Sequence, residues 1–211
     1  MLAIEIEKYI DAHSNVHDPV LLEIERSTHL HTLAPQMLSG RIQGKFLTLL
    51  TSLINAENVL EIGTFTAYGS ICLARGLNSP SGKVVTIETN PEYSFLVKKH
   101  LELAGLENKV ECVVGDARKI IPSRPEQWDI VYIDAYKQEY PEYFEAVIDR
   151  VRKGGLILSD NVLWSGKVVY DPEDVDAKVI INYNRMLAED KRVEVLMLPI
   201  RDGLSVATKI C

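Results

Sequence analysis

Val59-Leu60-Glu61-Ile62-Gly63-Thr64-Phe65-Thr66-Ala67-Tyr68-Gly69 is the stretch around which the chain is organised. A short apolar run (Val59, Leu60, Ile62) ends in a glycine. A loop of small residues follows, and then an amphipathic segment from Ser70. The pattern predicts a buried strand, a tight turn and a helix N-terminus. In open α/β sheets such a turn, at the carboxyl end of the first strand, is where a nucleotide-like ligand sits. Glu61 lies in an otherwise apolar strand, and a buried acid is costly unless a ligand or a donor satisfies it.

Downstream of this stretch, strands and helices alternate. Strands are expected at 59–62, 83–88, 110–114, 128–133 and 156–159, the last entered through a Gly154-Gly155 turn. Helices are expected at 68–77, 91–104, 117–121, 140–151 and 174–188. Residues 193–198 and 204–209 flank Pro199–Gly203 and read as a closing antiparallel hairpin. Repeated strand–helix units with apolar strands mean a parallel sheet covered on both faces. Upstream, residues 2–55 read as helical, with a partial stripe at Ile4, Ile6, Tyr9 and Ile10. Asp18-Pro19 is a helix start, Pro35 an end, and 40–54 an amphipathic helix. The chain is therefore expected to be a single domain, residues 1–211. In it, a helical extension (1–55) serves as lid or packing layer on an α/β core (56–211).

Composition narrows the function classes. The chain has 211 residues, 46% hydrophobic and 25% charged, as in ordinary globular proteins. A formal net charge of −7 disfavours nucleic acid or an anionic membrane as main partner, since both need a basic surface. Cys72, Cys112 and Cys211 have no metal-type spacing and suit a reducing cytoplasm. The start of the chain does not read as a signal peptide, and no apolar run reaches membrane-spanning length.

The glycine loop selects among cofactors. Phe65 stands where G-x-G-x-x-G needs its second glycine, which lets the backbone approach a pyrophosphate. A dinucleotide, and with it a dehydrogenase, is disfavoured; a P-loop is absent. Glu88 ends the second strand, where an acid accepts both ribose hydroxyls of a nucleoside. Gly115-Asp116-Ala117 ends the third, where Asp116 and nearby backbone suit an adenine edge. Acids at successive strand ends around a phosphate-free loop point to S-adenosylmethionine.

A second constellation falls on the same rim. The fourth strand ends in Asp134, followed by Ala135-Tyr136-Lys137, and the fifth ends in Asp160-Asn161. Asp160-Asn161 alone reads as a loop cap. With Asp134 and Lys137 beside it, the set reads as a hard, oxygen-only site for Mg²⁺, with Mn²⁺ or Ca²⁺ as alternatives.

These residues carry a family resemblance. E-I-G-T-F-T-A-Y, I-E-T-N-P-E, G-D-A, I-D-A-Y-K, L-S-D-N-V-L-W-S-G and L-P-I-R-D-G-L, in that order, resemble the cation-dependent, S-adenosylmethionine-dependent O-methyltransferases, which include catechol and caffeoyl-CoA O-methyltransferases and bacterial relatives. The resemblance spans roughly residues 20–210. It implies a Rossmann-like class I methyltransferase fold: a seven-stranded, mostly parallel sheet with a reversed last strand and helices on both faces. It also implies a homodimer, and metal ligation by Asp134, Asp160 and Asn161. Lys137 matches the general base of the catechol enzyme, with Asp134 beside it in the catalytic pair. Met37 and Ser39 match a segment that closes over the cofactor. Glu61, Gly63, Thr64, Glu88, Asp116 and Ala117 match cofactor contacts, and Asp134 and Tyr136 fall near it.

Three departures stand out. Ala67 replaces a glycine, Gly69 takes the place of a serine that holds the methionine carboxylate, with Ser70 one position late, and Tyr136 replaces an acid. They imply a different hold on the methionine end of the cofactor. Trp164 and Ser165 are expected at the substrate rim. The histidines receive no role, and Tyr140, Tyr143 and Phe144 read as helix packing.

The expected activity is methyl transfer to one hydroxyl of a catechol-like aromatic small molecule. Vicinal hydroxyls that chelate a divalent cation ionise more readily, and Lys137 is expected to take the proton. Two alternatives keep the cofactor and the metal but place the accepting hydroxyl on a CoA ester or a modified nucleoside. A non-catalytic S-adenosylmethionine sensor is a third reading. A sensor needs no metal, so Asp134, Lys137, Asp160 and Asn161 together argue against it.

Overall fold

A computed structural model describes residues 4–211. The expected helical start at residues 2–3 lies outside them, as do the side chains of Glu7 and of Ile4, the first stripe position. In order, the elements are α1 (Ile4–Ala12), α2 (Pro19–His31), α3 (Arg41–Leu53), β1 (Asn58–Ile62), α4 (Tyr68–Arg75), β2 (Lys83–Glu88), α5 (Ser94–Ala104), β3 (Val110–Val114) and α6 (Ala117–Ile120). Then follow β4 (Trp128–Ile133), α7 (Tyr140–Ile148), β5 (Val151–Asp160), α8 (Lys167–Tyr170), α9 (Val175–Glu189), β6 (Val193–Leu198) and β7 (Leu204–Lys209).

The strands form one seven-stranded sheet in the order β3-β2-β1-β4-β5-β7-β6. β1 to β5 pair in parallel, and β7 runs antiparallel to both β5 and β6. The reversal between β1 and β4 puts the carboxyl ends of both strands beside a crevice, the usual ligand position of doubly wound sheets.

Alternation along the strands divides the core. Leu60, Ile62, Val131, Ile133 and Ile157 pack against α6, α7 and α9. Val59, Ile130, Leu156 and Leu158 face the other side, under α2, α3, α4 and α5. Of the N-terminal helices, α2 and α3 pack on this face, whereas Ile6 and Tyr9 of α1 are exposed. Asp18 caps α2, accepting from the Val20 and Leu21 amides at 2.9 and 3.0 Å, as the Asp-Pro pair predicts.

Two segments differ from the sequence expectation. Gly154-Gly155 does not precede β5 but lies inside it. The strand begins at Val151 and carries a bulge, because Trp128 pairs Val151 while Ile130 pairs Leu156. Trp164–Gly166 and α8 form helical turns between the expected strand 156–159 and helix 174–188, where no element is expected. Left-handed backbone at Asn161 (φ 58°), Trp164 (φ 47°) and Ser165 (φ 53°) makes that segment unreadable from residue preferences.

Candidate active site

The β1–α4 turn is forced by contact. Gly63 has φ 102°, and a Cβ there would lie 2.0 Å from the Asp134 carbonyl oxygen. The ends of β1 and β4 therefore meet backbone to backbone, with Asp134 N–H on Ile62 O at 2.9 Å. They form one end of a cavity of about 760 Å³. Its wall includes Met37, Ser39, Glu61, Gly63, Thr64, Gly69, Glu88, Ala117, Asp134, Tyr136, Lys137, Asp160, Asn161 and Trp164. Most of the residues singled out from sequence are thus brought to a single wall.

Three of them are elsewhere. Ser70 is fully buried and spends its hydroxyl on Glu61. Asp116 caps α6 through the Arg118 amide (3.0 Å) and pairs with the Arg118 guanidinium, away from the cavity wall. Ser165 is exposed, and its amide bonds the Asp202 carboxylate.

Glu61 is buried and accepts from Ser70 and from Thr86 Oγ1, the latter at 2.6 Å. Burial, with help from the charges of Asp134 and Glu88, pushes its carboxyl up to about 8. The Gly69 departure has a local cause: a Cβ there would meet Glu61 Oε1 at 2.4 Å, so this carboxylate occupies the space of a side chain. Ala67 has φ 69° as the N-cap of α4, a left-handed conformation that glycine adopts at no steric cost.

Glu88 is fixed by two amides, Phe65 N–H on Oε2 and Asn90 N–H on Oε1, both at 2.8 Å. Each oxygen keeps a second lone pair and Glu88 lines the cavity, which suits a pair of ribose hydroxyls. A protonatable acid at Glu61 and a fixed carboxylate at Glu88 fit a nucleoside that also carries a cationic amino-acid end.

The second constellation is tighter than its spacing suggests. Lys137 Nζ lies 3.1 Å from Asp134 Oδ1 and 2.6 Å from the Tyr140 hydroxyl. Tyr140 in turn lies 3.0 Å from the Asp160 carbonyl and 3.2 Å from that of Ile133. Tyr132 OH sits 3.1 Å from Asp160 Oδ2 and 3.4 Å from Asp134 Oδ2, so one phenol spans the two carboxylates. Gln43 of α3 donates Nε2 to Asp160 Oδ2 at 2.6 Å and to Tyr132 OH at 2.8 Å. Burial first, and the Asp134 charge next, raise the Asp160 carboxyl above its ordinary range.

Gln43, Tyr132 and the tip of Tyr140 escape a reading by motif. Tyr132 carried one signal, a polar tip two residues before Asp134 in a buried strand. Gln43 carried another, a lone amide in the apolar stripe of α3.

Among the described residues, no group of three His, Cys, Asp or Glu clusters as a metal site. Two carboxylates, Asp134 and Asp160, stand here, and Asn161 lines the same cavity. Two carboxylates bridged by one phenol make an electron-rich oxygen site. That chemistry fits a hard divalent cation.

The O-methyltransferase family model matches residues 11–210. The chain belongs to this O-methyltransferase family. It is 35% identical over 187 residues to caffeoyl-CoA O-methyltransferase 2 of Petunia hybrida, covering 82% of this chain and 77% of that one. Among solved structures, it resembles the O-methyltransferase TomG of Streptomyces achromogenes, in complex with SAM, at TM-score 0.89 and 32% identity over 100% of both chains. It also resembles the O-methyltransferase of Bacillus cereus, in complex with SAH, at TM-score 0.86 and 30% identity over 97% of each. The chain is an S-adenosylmethionine-dependent O-methyltransferase, and its sheet is the Rossmann-like methyltransferase sheet. Among the described residues, no helix is long and apolar enough to cross a membrane.

Proposed function

We propose that this methyltransferase acts on one hydroxyl of a vicinal dihydroxy aromatic, with a divalent cation at Asp134, Asp160 and Asn161. The observation that carries the reading is the Asp134–Lys137–Tyr140 chain, which opens on the same cavity as Glu88 and Glu61.

S-adenosylmethionine supplies the methyl group as an activated sulfonium. Asp134, Asp160 and Asn161 would hold the cation, which would supply Lewis acidity for ionisation of an acceptor hydroxyl. The rest is done by side chains. Lys137 takes the proton of the attacking hydroxyl, and its amine is aimed by two fixed partners, Asp134 Oδ1 and the Tyr140 hydroxyl. Tyr132 and Gln43 hold the Asp160 carboxylate. Glu88 fixes the nucleoside end, and Trp164 and Tyr136 wall the acceptor side.

Charge favours a small acceptor over a CoA ester. Acids on the wall (Glu61, Glu88, Glu139, Asp176 and Asp202 besides the cation set) outnumber the cations, Lys137 and Arg201. Arg201 is engaged at the Leu38 carbonyl, 2.6 Å away. A polyanionic acceptor needs a basic mouth. The caffeoyl-CoA ester remains the second reading because of the curated relatives.

The test is a methyl-transfer screen over catechols and caffeoyl-CoA with Mg²⁺, read by product mass, with and without chelator. Monomethylated catechol that disappears with chelator is expected. Turnover indifferent to chelator would remove the cation, and a strong preference for the CoA ester would reverse the acceptor reading.

A further inference from the structure

His100, on α5, is fully buried and does not touch the cavity. Its Nδ1 lies 2.8 Å from the Thr66 carbonyl oxygen and its Nε2 2.9 Å from Ser27 Oγ of α2. A carbonyl only accepts, so Nδ1 carries the proton, and the Ser27 hydroxyl donates to Nε2. Burial lowers the imidazole's pKa, which keeps this neutral tautomer in place.

Thr66 is held a second time, by Thr28 Oγ1 of α2 at 2.9 Å from its own hydroxyl. All four residues are buried. The segment they grip is unusual: Phe65 (φ 49°) and Ala67 (φ 69°), on either side of Thr66, are both left-handed without being glycine. Such backbone persists only where the surroundings over-determine it. Thr64, Phe65, Tyr68 and Gly69 all line the cavity, and Phe65 N–H anchors the Glu88 carboxylate. A shift at Thr66 would therefore loosen both the loop and the acid at the nucleoside end.

We propose that His100 is a positioning residue for cofactor binding: its Nδ1–H, donated to the Thr66 carbonyl, holds the 64–67 loop in its left-handed shape from behind. The inference rests on the reading of this cavity as the S-adenosylmethionine site.

Side-chain geometry gives a discriminating test. In His100→Asn, the amide nitrogen stands near the place of Nδ1 and keeps the bond to Thr66. In His100→Gln, it stands near the place of Nε2 and keeps only the bond toward Ser27. Calorimetric titration with S-adenosylhomocysteine, together with acceptor KM and thermal midpoint, is run on both variants and on the wild type. The Gln variant is expected to raise the Kd about tenfold, the weight of one buried acceptor left unpaired, and the Asn variant less than about threefold. Acceptor KM should stay near wild type in both, and the two midpoints should fall by similar amounts. Equal Kd values for Asn and Gln, or a Kd that tracks the thermal midpoint instead of the retained bond, would overturn the proposal. Failure of the wild type itself to bind S-adenosylhomocysteine would overturn the cofactor reading beneath it.

Discussion

The Lys137 amine donates to the Tyr140 hydroxyl at 2.6 Å, and that hydroxyl is itself pinned among backbone carbonyls at the ends of β4 and β5. The amine thus has one place to be, beside Asp134, before any substrate arrives. Lys137→Ala should lower kcat by about 10²- to 10⁴-fold, the range for a positioned acid–base group, and leave cofactor Kd near wild type. Tyr140→Phe should give a smaller fall in kcat, about tenfold, because the amine remains but loses one of its two partners. Steady-state kinetics and calorimetry on the two variants check both. An unchanged kcat in Lys137→Ala would take the lysine out of the proton transfer.

Gln43 reaches the Asp160 carboxylate from α3, across the sheet face. Groups that orient a metal-binding carboxylate typically matter by 10- to 100-fold in affinity. Gln43→Leu should therefore raise the Mg²⁺ concentration for half-maximal turnover by about 10- to 100-fold, with cofactor Kd little changed. A Mg²⁺ titration of initial rates decides it. A variant with the wild-type cation requirement would mean that Asp160 does not serve the cation.

What was legible in the sequence, and what was not, follows from the range of each interaction. Strand bounds such as 83–88 and 128–133 were readable because burial on both faces leaves largely apolar runs, and 110–114, at the sheet edge, because valines dominate it. Asp134, Asp160 and Asn161 were readable because strand ends in a parallel sheet share one rim. Ser70 was misplaced by direction alone. The helix turns it inward onto Glu61, and that orientation depends on where α4 starts. Gln43 and Tyr132 meet across 89 residues, and His100 and Thr66 across 34. No local pattern encodes such pairs. They exist only after α3 and α5 have packed on the sheet.

Glu61 makes stability and cofactor binding depend on pH. Its carboxyl is raised from the ordinary 4.5 to about 8, first by burial. Between those values the folded chain holds a proton that the unfolded chain has released. Unfolding free energy contributed by this group is therefore full below about pH 4.5 and is lost as pH rises through about 8, by up to about 1.4 kcal/mol per unit. Glu61→Gln should remove this slope, so the difference in urea midpoint between variant and wild type should grow in the variant's favour from pH 5 to 8. A cationic ligand group near Glu61 draws the carboxyl back to its charged form. Cofactor binding at pH 7 should then release a fraction of a proton, seen as a dependence of calorimetric heat on buffer ionisation enthalpy. Absence of that release in the wild type would show that Glu61 does not meet the cationic end of the cofactor.

Gly63 is where sequence, fold and site are most tightly joined. Its φ of 102° is unfavourable for any other residue, and an added Cβ would stand 2.0 Å from the Asp134 carbonyl oxygen and 2.7 Å from its carbon. Those are backbone atoms of a central strand end, fixed by the Ile62–Asp134 bond, so no rotamer change relieves the clash. Gly63→Ala should cost about 3 kcal/mol or more in urea unfolding, in the class of large single-site effects. Gly105 offers the control. It is also left-handed, with φ 66°, but a Cβ there meets nothing within 4 Å. Gly105→Ala should cost only the conformational penalty of about 1–2 kcal/mol and leave cofactor affinity intact. If the two alanines cost the same, the contact between the β1 turn and Asp134 is not what holds the methyl-donor loop against the strand that carries Lys137.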